Sequence, residues 1–393
     1  MITYADRLQK LPPYIFAELE QLQNELTQKG VDIISLGIGD PDLPPSRIIV
    51  ETLKNGLAEP GSNNYSTSAG EDYFRNSVAK WYAKRFGVNL DPDSEICALI
   101  GSKEGLASVG RAFLNPGDKA LVPDPGYPVY SQGSTILSDA IPVVFNLIGE
   151  NFQPDLSSLP VDDRTKLLFL NYPSNPTGAV AEDSTLRTAV DFCLKHNLIL
   201  CYDNAYSETG FAPYRSPSIL QEDGAMECAV EFNSCSKMFN MTGYRAAFAV
   251  GSKNVIAGLK NVKAQIDSGI PKFVQRAAAT ALDRYFDRDL STEREKNNET
   301  LKERFDILVQ GLREIGVDAK VPKATFYLWV NVREDGATFV KELLKLGVVA
   351  TPGIAFGANG NTYVRFSVTQ TTNRIQEAVQ RMRNLELTKP LPR

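Results

Sequence analysis

The sequence predicts an α/β fold, with a mainly parallel central sheet flanked by helices and a smaller α+β domain beside it. Two observations carry that reading. From about residue 95 to 251, short apolar runs alternate with longer segments of helical periodicity. The runs lack the polar alternation of a half-exposed strand, so both of their faces must be covered. After about residue 285 the order changes to a long charged helix, followed by strands and helices outside that alternation. A chain of 393 residues also exceeds what one core fills, since single cores stop growing at roughly 250 to 300 residues.

In chain order, "EICALIG" is the first strand of the sheet and "SKEGLASVGRAFL" the helix that follows it. "KALVPD" leads into a helical "YPVYSQGSTIL", and "KLLFLN" into "EDSTLRTAVDFCLKHN". "LILCYD", "CAVEFNS" and "RAAFAVG" are three more strands. Beyond them, "DRDLSTEREKNNETLKERFDILVQGLREIG" reads as a solvated helix with i,i+4 charge pairs. A strand at "ATFYLWVNV", a helix at "GATFVKELLKLG" and a last strand at "TYVRFSV" complete the chain. The expected division is a large domain over residues 45–285 and a small one made of 286–393 with the returning segment 1–44.

Composition narrows the function. A formal net charge of −5 gives no basic footprint for nucleic acid. Five cysteines, with no C-x-x-C spacing, suggest neither a disulfide framework nor a zinc site, and a reducing cytoplasm is expected. The N-terminus has no signal pattern, and no run approaches the roughly 18 apolar residues that span a bilayer. There is one histidine, His196, where "CLKHNLIL" passes from helix to strand. Ser-His, Cys-His and His-rich metal chemistry therefore lack their histidine, and a lysine or a cofactor must carry the proton work.

In an open α/β sheet, ligands bind beyond the carboxyl ends of the strands. Gly101 and Ser102 follow "EICALI" at a helix start, where free N–H groups suit a phosphate, although a plain N-cap has the same appearance. "NYPSNPTG" follows "KLLFL" and holds Asn175 in a proline-fixed loop. Asp203 ends "LILCYD", with Tyr206 close behind; a buried acid there needs donors or a cation, and a helix cap is the other reading. Lys237 falls between the last two strands in "SCSKMFNMTGYR", with Arg245 at the end of that stretch. A lysine in a cleft beside cationic groups has a lowered pKa, and its neutral amine can form an imine with an aldehyde. Phosphate seat, carboxylate, Asn, Tyr and amine together suit pyridoxal 5′-phosphate.

The ordered set "NYPSNPTG", "YDNAYSE", "SCSKMFNMTGYR" and "YVRFSV" resembles the class I/II aminotransferases of the fold-type I pyridoxal phosphate enzymes. The likeness runs from "LGIGDPD" to the final helix, and "LPPYIFAELE", "LIGSKEGLA" and "NPGDKALVPDPGYPVY" bring it closest to the LL-diaminopimelate aminotransferases. The resemblance implies that Lys237 holds the cofactor and moves the proton, and that Asp203 keeps the ring nitrogen protonated. It implies that Asn175 and Tyr206 bond the phenolic oxygen, and that Tyr127 stacks on the ring. Ser102, Lys103, Ser234, Ser236 and Arg245 would take the phosphate, with Tyr65 reaching in from a second subunit of a homodimer. Arg365 would hold the substrate carboxylate, with the Gly39 N–H beside it, and Tyr14 would close over the substrate.

The reaction so implied exchanges an amino group between an amino acid and 2-oxoglutarate. Relatives usually carry an acid in the loop after Tyr65 to read the distal ammonium of diaminopimelate. Here that loop is "YSTSAG", with no acid before Glu71. The donor is therefore open between LL-diaminopimelate, aspartate and another amino acid. Lyase chemistry on the same fold is a further alternative. Tyr244 stands where a Trp is usual, and Cys235 where other residues are common.

Overall fold

The computed structural model describes residues 2–12 and 15–385, without the side chains of 15–20 and 22. Strand β1 (Ile34–Ser35) joins the C-terminal part of the molecule. The next eight strands form the central sheet: β2 (Ile96–Leu99), β3 (Lys119–Asp124), β4 (Ile141–Ile148), β5 (Gln153–Pro154), β6 (Thr165–Asn171), β7 (Ile199–Asp203), β8 (Ala229–Ser234) and β9 (Ala247–Gly251). Their order across the sheet is β2, β9, β8, β7, β6, β3, β4, β5.

The pairs from β8 across to β4 are parallel, while β9 runs antiparallel to both β2 and β8, and β5 antiparallel to β4. The carboxyl ends of β2, β3, β6, β7 and β8 thus share one edge. Every residue of β2, β8 and β9 is buried, which is what the uninterrupted apolar runs require. β8 and β9 bracket the short helix Cys235–Met238, so Lys237 sits on a tight connection at that edge.

The segment expected to be an ordinary helix at 127–137 is wound differently. Val129–Thr135 forms a π-helix, and Ile136–Ser138 a 3₁₀ turn. Gly110 of the neighbouring helix Ser102–Phe113 lets the Ser134 carbonyl come so close that a Cβ there would lie 2.0 Å from its oxygen.

In the C-terminal part, β10 (Tyr327–Asn331), β12 (Thr351–Pro352) and β13 (Tyr363–Ser367) form an antiparallel sheet with β13 central, while β11 (Val348–Val349) pairs in parallel with β1. The N-terminal chain enters here: Leu36 N–H donates to the Val349 carbonyl at 2.7 Å, and Ser367 N–H to the Leu36 carbonyl at 2.6 Å. That threading carries residues 37–42 to the edge of the large sheet. One apolar core lies among Ile34, Leu36 and residues 301–382, with Ala205, Tyr206 and Phe211 of the large sheet's edge reaching into it. Two others pack against the faces of the central sheet.

The 37–42 segment is anchored by charge. Arg304, on helix Arg288–Glu314, meets both Asp42 oxygens, at 2.7 and 2.9 Å, and its side chain is 4% exposed. Removing Asp42 would strand a buried guanidinium at a cost of about 3–5 kcal/mol. An exposed pair of the same helix, Lys302–Asp306, contributes at most about 0.5 kcal/mol.

Candidate active site

Residues from every strand end named above converge on one cavity of about 450 Å³, where the edge of the large sheet meets residues 38–40 and the C-terminal sheet. Lys237 projects into it, and its Nζ donates to the Gly39 carbonyl at 3.1 Å. Burial lowers its pKa to about 8, with Asp40 opposing the shift and the Arg245 and Arg365 guanidiniums adding to it. At pH 7 about one molecule in ten then carries a neutral amine, against about one in three thousand for an unperturbed lysine. Burial first, and the two guanidiniums after it, make this amine available as a nucleophile.

Asp203 ends β7 and lines the same cavity, 4% exposed. Its Oδ2 accepts from the Tyr130 hydroxyl at 2.8 Å and its Oδ1 from the Ala205 N–H at 3.3 Å. Burial pushes its pKa up to about 6, and those two donors pull it down. Asn171 fixes the turn behind it, with its amide donating to the Asp203 carbonyl at 2.7 Å and its Oδ1 accepting from the Asn175 N–H at 2.7 Å. A carboxylate so placed suits a cationic ring nitrogen.

At the other end, Arg365 occupies the middle of β13 and is 2% exposed. It donates from Nη1 to Asn175 Oδ1 at 2.7 Å and from Nη2 to the Gly37 carbonyl at 2.6 Å. Its guanidinium lies over the Tyr327 and Phe356 rings, 4.2 and 4.6 Å from their centres. The Tyr206 hydroxyl donates to the Tyr327 hydroxyl at 3.4 Å. Such a clamped, desolvated guanidinium presents a planar fork that matches a carboxylate.

Tyr327 also explains Gly39: a Cβ there would lie 2.1 Å from the Tyr327 hydroxyl oxygen and 2.4 Å from ring carbons. Gly39→Ala is expected to cost about 1–3 kcal/mol, read as a fall in the urea midpoint at unchanged m-value. An unchanged midpoint would mean that Tyr327 moves aside freely.

The remaining wall is polar. Ser102 opens the helix Ser102–Phe113, whose first N–H groups have no partner within the helix. Arg245, in the left-handed region at φ 63°, packs so close to Gly101 that a Cβ would meet its Nη2 at 2.5 Å. Ser234 and Ser236 are both 4% exposed, and Ser236 Oγ is buried without a hydrogen-bond partner. Lys103 lies with its Nζ 5.8 Å from the centre of the Tyr127 ring. An orphaned hydroxyl, a helix N-terminus and an arginine make a phosphate seat. With the lysine and the buried acid, the residues present fit pyridoxal phosphate.

Of the residues expected from the sequence and described in the structure, all but Tyr65 line this cavity. Tyr65 is 86% exposed and lies away from its own chain's cavity. Tyr14 lies outside the described residues. Sequence reasoning missed Tyr130, Asn171, Tyr327 and Phe356. Tyr130 stands three residues after Tyr127 in a helical segment, a spacing that puts both on one face and could have revealed it.

Glu71, the first acid after Tyr65, is engaged within its own loop: its Oε1 accepts from the Ser66 hydroxyl at 2.9 Å and the Thr67 N–H at 3.3 Å. The described residues hold no cluster of three metal-ligating side chains, and none of their helices is long and apolar enough to cross a membrane.

The family model for aminotransferase class I and II matches residues 31–382. The LL-diaminopimelate aminotransferase of Syntrophobacter fumaroxidans is 47% identical over 387 residues, which cover 97% of this chain and 98% of that protein. Among solved structures, substrate-bound BacF from Bacillus subtilis superposes with a TM-score of 0.92 at 35% identity over 100% of both chains. The aspartate aminotransferase of Thermus thermophilus with maleate gives 0.91 at 26% identity, over 98% of this chain and 100% of that one. Both the sheet topology and the lysine-centred cavity accord with these matches. The chain belongs to the class I and II aminotransferases and is a pyridoxal phosphate-dependent transaminase of fold type I.

Proposed function

We propose that this transaminase takes LL-2,6-diaminopimelate as amino donor and 2-oxoglutarate as acceptor, in a ping-pong exchange of biosynthetic character. The observation that carries the donor is the 47% identity to an LL-diaminopimelate aminotransferase over nearly the whole of both chains. Aspartate is the second reading, favoured by the loop "YSTSAG", which offers no free acid to a distal ammonium. Steady-state glutamate formation from 2-oxoglutarate tests the choice. LL-diaminopimelate is expected to give the largest kcat/KM, and a larger value with aspartate would overturn it.

When bound, pyridoxal phosphate supplies an aldehyde for the amino group and a ring that accepts electrons from the substrate Cα. In the proposed assignment, Lys237 would hold that aldehyde, and its amine would serve as the base that takes the proton from the substrate Cα. Asp203 would keep a proton on the ring nitrogen, Tyr127 would cover a ring face, and the Asn175 amide and the Tyr206 hydroxyl, turned from Tyr327, would donate to the phenolic oxygen. Ser102, Lys103, Ser234, Ser236 and Arg245 hold the phosphate. Arg365 and the Gly39 N–H take the substrate carboxylate, which fixes the Cα–H bond over Lys237. The exposure of Tyr65 supports the reading that it serves the cavity of a second copy, in a homodimer with shared sites. The separate apolar cores support a large domain at 45–285 and a small one of 1–44 with 286–393.

Two expectations follow from this geometry. Arg365→Lys keeps the charge and loses the fork, so KM for each amino donor should rise by about tenfold or more with a smaller change in kcat. An unchanged KM with all donors would count against the carboxylate role. Capture of the free aldehyde by cofactor-free protein requires neutral Lys237, so its rate should climb with pH and level off near 8. The sign for folding is the same: the unfolded chain holds this lysine's proton up to about 10.5 and the folded chain only to about 8. The cofactor-free protein therefore gains stability from this group as pH rises between those values. A capture rate still climbing at pH 10 would refute the lowered pKa.

A further inference from the structure

Tyr130 is 1% exposed and does not line the cavity, yet its hydroxyl reaches the cavity's acid, donating to Asp203 Oδ2 at 2.8 Å. Three contacts hold the phenol there. Its ring stacks on Phe169, with centres 5.1 Å apart and planes 17° from parallel. The Tyr127 ring meets it edge-on at 5.9 Å, and the π-helical turn is tied by the Thr135 hydroxyl donating to the Tyr130 carbonyl at 2.7 Å. The hydroxyl therefore has a fixed position, and the Asp203 carboxylate is where it points.

Asp203 has few other means of staying charged. Among the described residues its one other donor is the longer contact from the Ala205 N–H, and the groups that act on it include no cation. A carboxylate in such surroundings drifts to the protonated form, which cannot serve a ring nitrogen as an anion. The groups facing Tyr130 are Asp203, Tyr127 and Tyr206, and burial beside them pushes its own pKa well up, so it remains a donor at any working pH. A second role is also open to it, since its ring fills space between Phe169 and Tyr127.

We propose that Tyr130 acts through Asp203 as a positioning residue, its phenol holding the carboxylate in the anionic form and in the rotamer that faces the cofactor ring. The proposal rests on the reading of Asp203 as the partner of the ring nitrogen. A purely structural Tyr130 would need its ring and not its hydroxyl.

Tyr130→Phe separates the two, because it keeps the ring. The direct readout is the nitrogen-15 chemical shift of protein loaded with cofactor labelled at the ring nitrogen, followed against pH. Loss of the Tyr130 hydrogen bond makes Asp203 the stronger base, so in Tyr130→Phe the ring nitrogen is expected to pass part of its proton to Asp203, read at neutral pH as a nitrogen-15 shift displaced toward that of a neutral ring nitrogen. In parallel, kcat should fall by about 10- to 100-fold with KM nearly constant, and the same substitution should have no further effect in an Asp203→Asn background. An unshifted ring nitrogen in Tyr130→Phe, or an equal loss with and without Asp203, would overturn the proposal and leave the Asp203 assignment standing. A wild-type nitrogen signal in Asp203→Asn itself would overturn that assignment and the proposal together.

Discussion

Lys237→Ala is expected to abolish transamination, lowering kcat by about four orders of magnitude or more, while the protein still binds pyridoxal phosphate. No other group in the cavity can replace the amine. Lys103 lies beside the Tyr127 ring, and Arg245 and Arg365 offer guanidiniums, which do not replace a neutral amine. The single histidine is remote from this edge of the sheet, with its ring 4.7 Å from that of Phe192 on the helix Thr185–His196. The phosphate seat and the buried acid remain in the variant, so affinity falls less than rate. Absorbance of the bound cofactor and single-turnover kinetics check this together. Turnover within about tenfold of the parent, about 1.4 kcal/mol in barrier, would remove Lys237 from the chemistry.

Asp203→Ala is the second large effect expected. The acid is 4% exposed, and its pKa of about 6 leaves it mostly ionised at neutral pH even before a cationic ring nitrogen arrives to lower it further. Without it, the charge that develops on the ring during Cα proton loss has no fixed counter-charge in a water-poor site. A loss of about three orders of magnitude in kcat, about 4 kcal/mol, is expected with a small change in KM. A rate within about tenfold of the parent would end the ring-nitrogen role.

Six strands of the central sheet were legible because they are buried on both faces, while β4 and β5, mostly exposed or half-buried, carry no such run and were not marked. Runs such as "EICALI" and "LILCYD" carry almost no polar residue until the carboxyl end, where chemistry begins. That same break exposed Asp203, Asn175 and Lys237, and the family likeness assigned the residues around them. What stayed hidden depends on packing between distant segments. Tyr327 is one aromatic among several in "ATFYLWVNV", and only the approach of Gly39, 288 positions earlier in the chain, gives it a place in the site. The spacing from Tyr127 marks Tyr130, but nothing local marks its bond to Asp203, 73 positions later in the chain. The two-residue strands β1, β11 and β12 are too short for any pattern to mark them, although β1 is what carries residues 37–42 to the cavity.

The donor is the point on which the overall likeness and the "YSTSAG" loop pull apart. The most direct measurement is the absorbance spectrum of the cofactor-loaded protein, titrated with LL-diaminopimelate and separately with aspartate, each without keto acid. The account expects LL-diaminopimelate alone to convert the cofactor from its aldehyde-derived form to the amine form at low concentration. Conversion by aspartate, with LL-diaminopimelate inert, would contradict it and make the acid-free loop the better guide to the substrate.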